Sequence, residues 1–415
     1  MKVRENLDMS QTPLHVPARS RLLFAHDAGT SEVFRSQILS RALRSCLIRV
    51  SGIAVAFMAL LLSCFSPAVA GELPPGEVSF ERVKDERPRF LRLLSGKLFQ
   101  TSGRYSQTSV DGGKTWQRGG QINPLNLGWK LNGVAIQLRS AMYKGRIVVP
   151  FYFGMYGNHP DYTTTGRGGY AIWKGKKILL ETHTHIPEMS GSFVCYSDDE
   201  GKTWQSCVSG QGRGFMVGYF KDGHLGHLTC EEPVVAELKD GRLLCFMRST
   251  CGRILKSYSS DGGKSWLKVQ LTDLAMSSSP AMLKRLPKTG DLVMVWNQMS
   301  AEEIKRGYRR GRLTIAISRD DGQTWIHRRN LEVSPGIDAQ VTQVKPPPLQ
   351  AMIRGGSGPN EILGEIPDDF THYHYPTIFL SEDKIFINYG VSPPEGNGKT
   401  RWRVFPVAWL HATGK

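Results

Sequence analysis

No two cysteines in the 415 residues form a C-x-x-C pair, and no zinc-finger spacing occurs, so structural zinc modules are excluded. No glycine-rich loop opens a helix to cradle phosphate, and no G-x-S-x-G elbow presents a serine nucleophile. An RNA-binding signature and a basic helix continued by heptads are both missing, which argues against nucleic acid as partner. Long apolar runs are scarce too. The most apolar stretch, Ile53 to Leu62, is too short to span a bilayer comfortably. The 44 glycines and 23 prolines follow no collagen-like period.

What is present suits a globular chain. At 40% hydrophobic and 22% charged residues it can bury a sizeable core, and frequent Gly and Pro imply many turns between short strands, hence an all-β class. The formal net charge is +16; residues 1–70 hold eight Lys/Arg against four Asp/Glu, so +12 remains on the rest. Such a surface favours anionic partners without choosing among them.

Ile53 to Leu62 follows Arg41, Arg44 and Arg49 and precedes Ala68-Val69-Ala70, the layout of a signal peptide with an A-x-A cleavage site. The expected organisation is an N-terminal extension over 1–46 ahead of a mis-set start, a signal peptide over 47–70 and one folded domain over 71–415. The protein is then exported, periplasmic or extracellular, with no stable membrane span after cleavage; Leu61-Leu62-Ser63-Cys64 is an imperfect lipoprotein alternative. Export permits disulfides. Of the five remaining cysteines, Cys195 and Cys207 flank a predicted hairpin and are the pair placed to bridge it, while the odd count leaves one thiol over.

The strongest signal is a repeat. Ser109–Trp116, Ser197–Trp204, Ser259–Trp266 and Ser318–Trp325 share the pattern S-x-D-x-G-x-T/S-W. Its physics is that of a hairpin: the Asp accepts hydrogen bonds from turn amides, the Gly supplies positive φ and the Trp covers the base. Upstream of each box a second turn separates two apolar runs, at Leu94–Lys97, Tyr143–Arg146, Lys239–Arg242 and Lys288–Asp291. A fifth unit without a box spans Tyr375 to Tyr389, and a last strand is expected at Trp402 to Leu410. Small antiparallel sheets that cannot bury both faces alone stack radially as propeller blades.

The boxes resemble the Asp-boxes of the sialidase (neuraminidase) superfamily, and the likeness runs from about Arg87 to Tyr389. It implies a six-bladed β-propeller of four-stranded antiparallel blades. It also implies an exo-α-sialidase-like glycoside hydrolase that releases terminal sialic acid with retention and needs no metal or cofactor. Partners would be sialylated or other acidic glycans. Non-catalytic propellers carry such boxes as well, so a carbohydrate-binding or assembly propeller, or a hydrolase of another acidic sugar, is the alternative reading.

Sialidases clamp a carboxylate with three arginines, whose planar forks make charge-assisted bonds and keep their charge. By that resemblance Arg248, sixteen residues after Glu232, is the second, and Arg310, eight before Ser318, the third, with Arg312 as its substitute. Arg87 fits the first, in competition with Arg89. The nucleophile would be Tyr375 with Glu232 as its base; Tyr373 and Glu231 are neighbours of the right type. A neutral phenol avoids the repulsion a carboxylate would meet at a carbon already bearing one. The aspartate acid has no counterpart before Ser109, and Asp161, beside His159 and Tyr162, is the replacement. His183/His185 and His372/His374 each place two imidazoles on one strand face without evident carboxylate partners, so no metal is assigned to them.

Overall fold

Each box closes the turn between the third and fourth strands of a blade. In the first, the Ser109 hydroxyl donates to Asp111 Oδ1 (2.7 Å), the Gly113 amide donates to Ser109 Oγ (2.8 Å), and the Thr115 hydroxyl donates to Asp111 Oδ2 (2.6 Å). The Thr115 bonds hold the Asp111 carboxyl far below its usual range. The Ser-to-Gly bond recurs at Gly201, Gly263 and Gly322, whose φ values of 88, 91 and 88° explain the fixed glycine. Trp204 and Trp266 donate their indole N–H to the carbonyls of Gly201 and Gly263.

The computed structural model describes residues 76–86, 90–155, 170–173, 176–181, 189–208, 214–220, 226–348 and 366–412. The extension and signal peptide expected before residue 71 lie outside them. Blade 1 runs Leu91–Arg92, Leu98–Ser102, Tyr105–Ser109 and Gln117–Gln121. Blade 2 is Ile136–Gln137, Ile147–Met155, Met189–Ser197 and Gln205–Ser206, with a hairpin of Tyr170–Trp173 and Lys176–Glu181 added beyond Gly154. Blade 3 is Glu231–Glu237, Leu243–Arg248, Arg253–Ser259 and Gln270–Ala275; blade 4 is Met282–Arg285, Leu292–Asn297, Arg312–Ser318 and Ile326–Val333. Blade 5 takes His372–Leu380, Lys384–Ser392 and Lys399–Pro406, and its fourth strand is Glu77–Val78. All these pairings are antiparallel.

The described residues thus form a five-bladed propeller, and the six blades implied by resemblance are corrected. Four boxed units and one boxless unit use all the blade strands. Of the segment foreseen as a last strand over Trp402 to Leu410, the part up to Pro406 pairs with Lys384–Ser392 inside blade 5 while Val407–His411 is a short helix, and Glu77–Val78 completes that sheet from the other end of the domain. The one further sheet among the described residues is the two-stranded pair Gly218–Phe220 and Gly226–Leu228, which is not a four-stranded blade.

Boxes also join blades. The Gly201 carbonyl accepts from Gly120 N–H and the Ser106 hydroxyl of blade 1, Gly262 O accepts from Arg146 of blade 2, and Asp321 accepts from Lys239 N–H of blade 3. The core between blades is built from strand centres such as Val148, Phe193, Leu244, Val293 and Ile315. The Cys195–Cys207 bridge does not form. All five cysteines are free and buried; Cys195 stands opposite Ser206, while the Cys207 thiol accepts from Val194 N–H and donates to Gly214 O.

Candidate active site

The boxes and the first-to-second-strand turns lie on one face of the ring. The opposite face carries the starts of the first strands and the ends of the second ones. There the strands of blades 3 and 5 begin with an irregularity: pairing shifts between Glu231 and Val234, and between His374 and Thr377. Glu232 and Tyr375 sit in those bulges with φ of 46 and 51°, and Arg310, just before the third strand of blade 4, has φ of 53°. Left-handed backbone at non-glycine residues costs about 1–3 kcal/mol each and persists only where its surroundings enforce it. A bulge re-aims a side chain that strict alternation would send into the blade interface.

The four residues meet. Arg248, at the end of its strand, donates from Nη1 to Glu232 Oε2 at 2.8 Å, both side chains being buried. Tyr375 stands close enough to Glu232 to feel its charge, and the guanidinium of Arg310 lies over the Tyr375 ring at 5.3 Å. Tyr375 keeps 37% of its surface exposed, so solvent reaches this side of the site. Burial and then the Glu232 charge raise its pKa, with Arg310 and Arg248 pulling the other way. The resting phenol is therefore neutral and must pass its proton on as it reacts.

Arg310 is held by its backbone, whose N–H donates to Ser277 Oγ at 2.8 Å, while Nη2 reaches Ser278 O at 3.4 Å. No carboxylate pairs with it among the described residues. Burial and the nearby Arg248 both depress its pKa. Two adjacent guanidinium groups, one already matched to Glu232, leave positive charge facing the pocket, which suits an anion.

Arg312, the substitute for Arg310, does different work. It is 2% exposed, paired with Glu303 at 2.8 Å and hydrogen-bonded to the carbonyls of Asp338 and Val341. Tyr373 points away from Glu232 and stacks edge-on with Tyr389 at 6.5 Å. His372 Nδ1 contacts Arg309 O and His374 Nε2 contacts Ser392 Oγ, so the two imidazoles serve separate local bonds. Arg87, Arg89, Asp161, His183 and His185 lie outside the described residues.

Tyr152 was not legible in advance, and Glu231, named in the sequence only as a neighbour of Glu232, also stands at the site. Glu231, paired across the strands with Arg248, is 4% exposed, and burial pushes its carboxyl up to about 7 against the pull of Arg248. Tyr152 is buried near Glu232 and Tyr375, and its phenol pKa is raised first by burial and then by Glu232. It is held by a reciprocal backbone pair with Trp129 at 2.8 Å each. Gly128 permits this approach: at φ of 71°, a Cβ there would lie 2.0 Å from Tyr152 O.

A family model described as a BNR repeat-like domain matches residues 93–387. The chain belongs to that family. This BNR repeat protein is similar to several solved structures. One is the intramolecular trans-sialidase from Ruminococcus gnavus in complex with oseltamivir carboxylate, at 16% identity over 75% of this chain and 51% of that one, with a TM-score of 0.40. Another is the α-L-arabinofuranosidase Arb93A from Fusarium graminearum with an iminosugar inhibitor, at 14% identity over 78% and 93%, with a TM-score of 0.39. A third is a protein of unknown function from Dyadobacter fermentans, at 15% identity over 76% and 92%, with a TM-score of 0.33. The BNR repeat chain spans about half the length of the trans-sialidase.

Proposed function

We propose that this BNR repeat protein is a glycoside hydrolase acting on terminal sialic acid of glycoconjugates, with retention, through Tyr375. The observation that carries the reading is the convergence of Glu232, Tyr375 and Arg310 on strained backbone beside Arg248. Such an array has the parts that displacement at a carboxylate-bearing carbon requires. Arg310, with Arg248 behind it, binds the sugar carboxylate. Tyr375 Oη attacks the anomeric carbon as Glu232 accepts its proton, and the glycosidic oxygen departs. Water then attacks the glycosyl–tyrosine bond, restoring the phenol and releasing the sugar on its original face. Asp161 is the proposed proton donor to the leaving oxygen. The leader-like run Ile53 to Leu62 supports export to where such glycans are met.

The test is hydrolysis of a fluorogenic sialoside by wild type and Tyr375→Phe, with binding of free sialic acid measured in parallel. Turnover abolished in the variant while binding persists is the expected result. Binding without turnover in the wild type would make the site a lectin, and neither activity would overturn the reading.

A further inference from the structure

The hole through the propeller holds a second cavity of 710 Å³, on the side away from Tyr375. All five blades line it. Its wall is largely apolar, including Leu131, Val134, Ile136, Val235, Ile378 and Phe379, and it reaches the first-to-second-strand turns at Pro287, Gly290 and Glu382. None of Glu232, Arg248, Arg310 or Tyr375 contributes to it.

One side chain in this wall is unexpected. Lys284, on the first strand of blade 4, extends past blade 3 to blade 2, where Nζ donates to the carbonyls of Gly133 (2.6 Å) and Ala135 (3.3 Å). Those two bonds leave one of its three N–H groups for the cavity. The other charged residues of the wall are Glu86, Arg92, Arg139, Glu237, Arg285 and Glu382. Glu86 meets Lys384 at 3.5 Å, Arg285 meets Asp321 at 2.7 Å, and Glu237 accepts the backbone N–H groups of Arg139 and Ser140. No carboxylate pairs with Lys284 among the described residues. Lys284 is partly buried in the channel wall, and desolvation alone pulls its pKa down to about 8. A partly buried cation without a carboxylate partner, in an apolar cavity of ligand size, is an incomplete arrangement.

We infer that the central channel binds a small monoanion with an apolar body, a medium-chain or aromatic carboxylate, whose charged end meets Lys284 and whose body fills the apolar wall. A single ammonium with one donor to spare suits one carboxylate and is too little for a phosphate dianion. The apolar body adds about 25 cal/mol per Å² buried, so chain length should strengthen binding. Because the carboxylate needs the charged amine, affinity should fall as pH rises through about 8.

Calorimetric titration of the intact protein with octanoate, butyrate, benzoate and hexylamine tests the inference. Octanoate should bind more tightly than butyrate, hexylamine should not bind, and the octanoate affinity should drop roughly tenfold between pH 7 and pH 9. Lys284→Met should abolish binding. Because losing the cross-channel bonds can also impair folding, the pH dependence in wild type is an independent readout. Failure of the folded wild type to bind either carboxylate at millimolar concentration, or equal binding of hexylamine, overturns the inference. The outcome does not depend on sialoside turnover, since the cavity shares none of the four residues at the other end.

Discussion

Glu232 and Tyr375 come together although they belong to blades 3 and 5, close enough for the Glu232 charge to raise the Tyr375 pKa, and each stands in a strand bulge with left-handed backbone, φ 46 and 51°. The contact joins two blades and does not lie within one sheet. Its geometry is therefore set by how the blades pack. Replacing Glu232 by Gln should keep the side chain's size and remove the proton acceptor. Turnover should fall by about 10²–10⁴-fold with little change in sugar binding, as read by steady-state kinetics against calorimetry.

Arg310 and Arg312 are two residues apart and should fail in opposite ways. Arg310→Lys keeps the charge and loses the fork, so KM for an acidic substrate should rise by about ten- to a hundredfold with stability unchanged. Arg312→Ala strands Glu303 and the carbonyls of Asp338 and Val341, and should cost about 3–5 kcal/mol in denaturant unfolding.

Glu231 gives the site a pH signature in stability. Its folded carboxyl is pushed up to about 7 by burial, above the value near 4.5 of an unfolded chain, so the folded state holds the extra proton between these values. Stability should therefore decline as pH rises from about 4.5 to 7, and the loss is complete above that window. In Glu231→Gln this decline should vanish, which thermal unfolding at pH 5 and pH 8 will show.

Gly128 is a backbone requirement. In Gly128→Ala the new Cβ meets Tyr152 O while φ stays positive, so the protein should lose more than about 1 kcal/mol of stability. Turnover should drop as well, because Tyr152 would shift beside Glu232. Unchanged stability would show that the Trp129–Tyr152 pairing is dispensable.

The repeat and the hairpin chemistry were legible because box and turn are local: Ser109, Asp111, Gly113 and Thr115 satisfy one another within a few residues. The number of blades was not. The strand that closes blade 5 is only two residues long, Glu77–Val78, and its partner Arg403 is distant in sequence. Resemblance placed Glu232, Arg248, Arg310 and Tyr375, yet alternation could not choose between Glu231 and Glu232, or Tyr373 and Tyr375, because bulges interrupt it. Tyr152 and Lys284 carry no local signature, since a tyrosine or lysine in a strand reads the same whether it faces solvent, core or channel.

The short strand Glu77–Val78 makes blade 5 the seam of the ring. Tyr375 is on that blade, whereas Glu232, Arg248 and Arg310 belong to blades whose four strands are continuous in sequence. Tyr375 is thus mounted on a sheet held shut by a latch from the far end of the domain. Whatever loosens the latch, whether a proteolytic nick near residue 79 or tension on the chain ahead of it, frees the tyrosine's side of the site before the side that carries Glu232, Arg248 and Arg310.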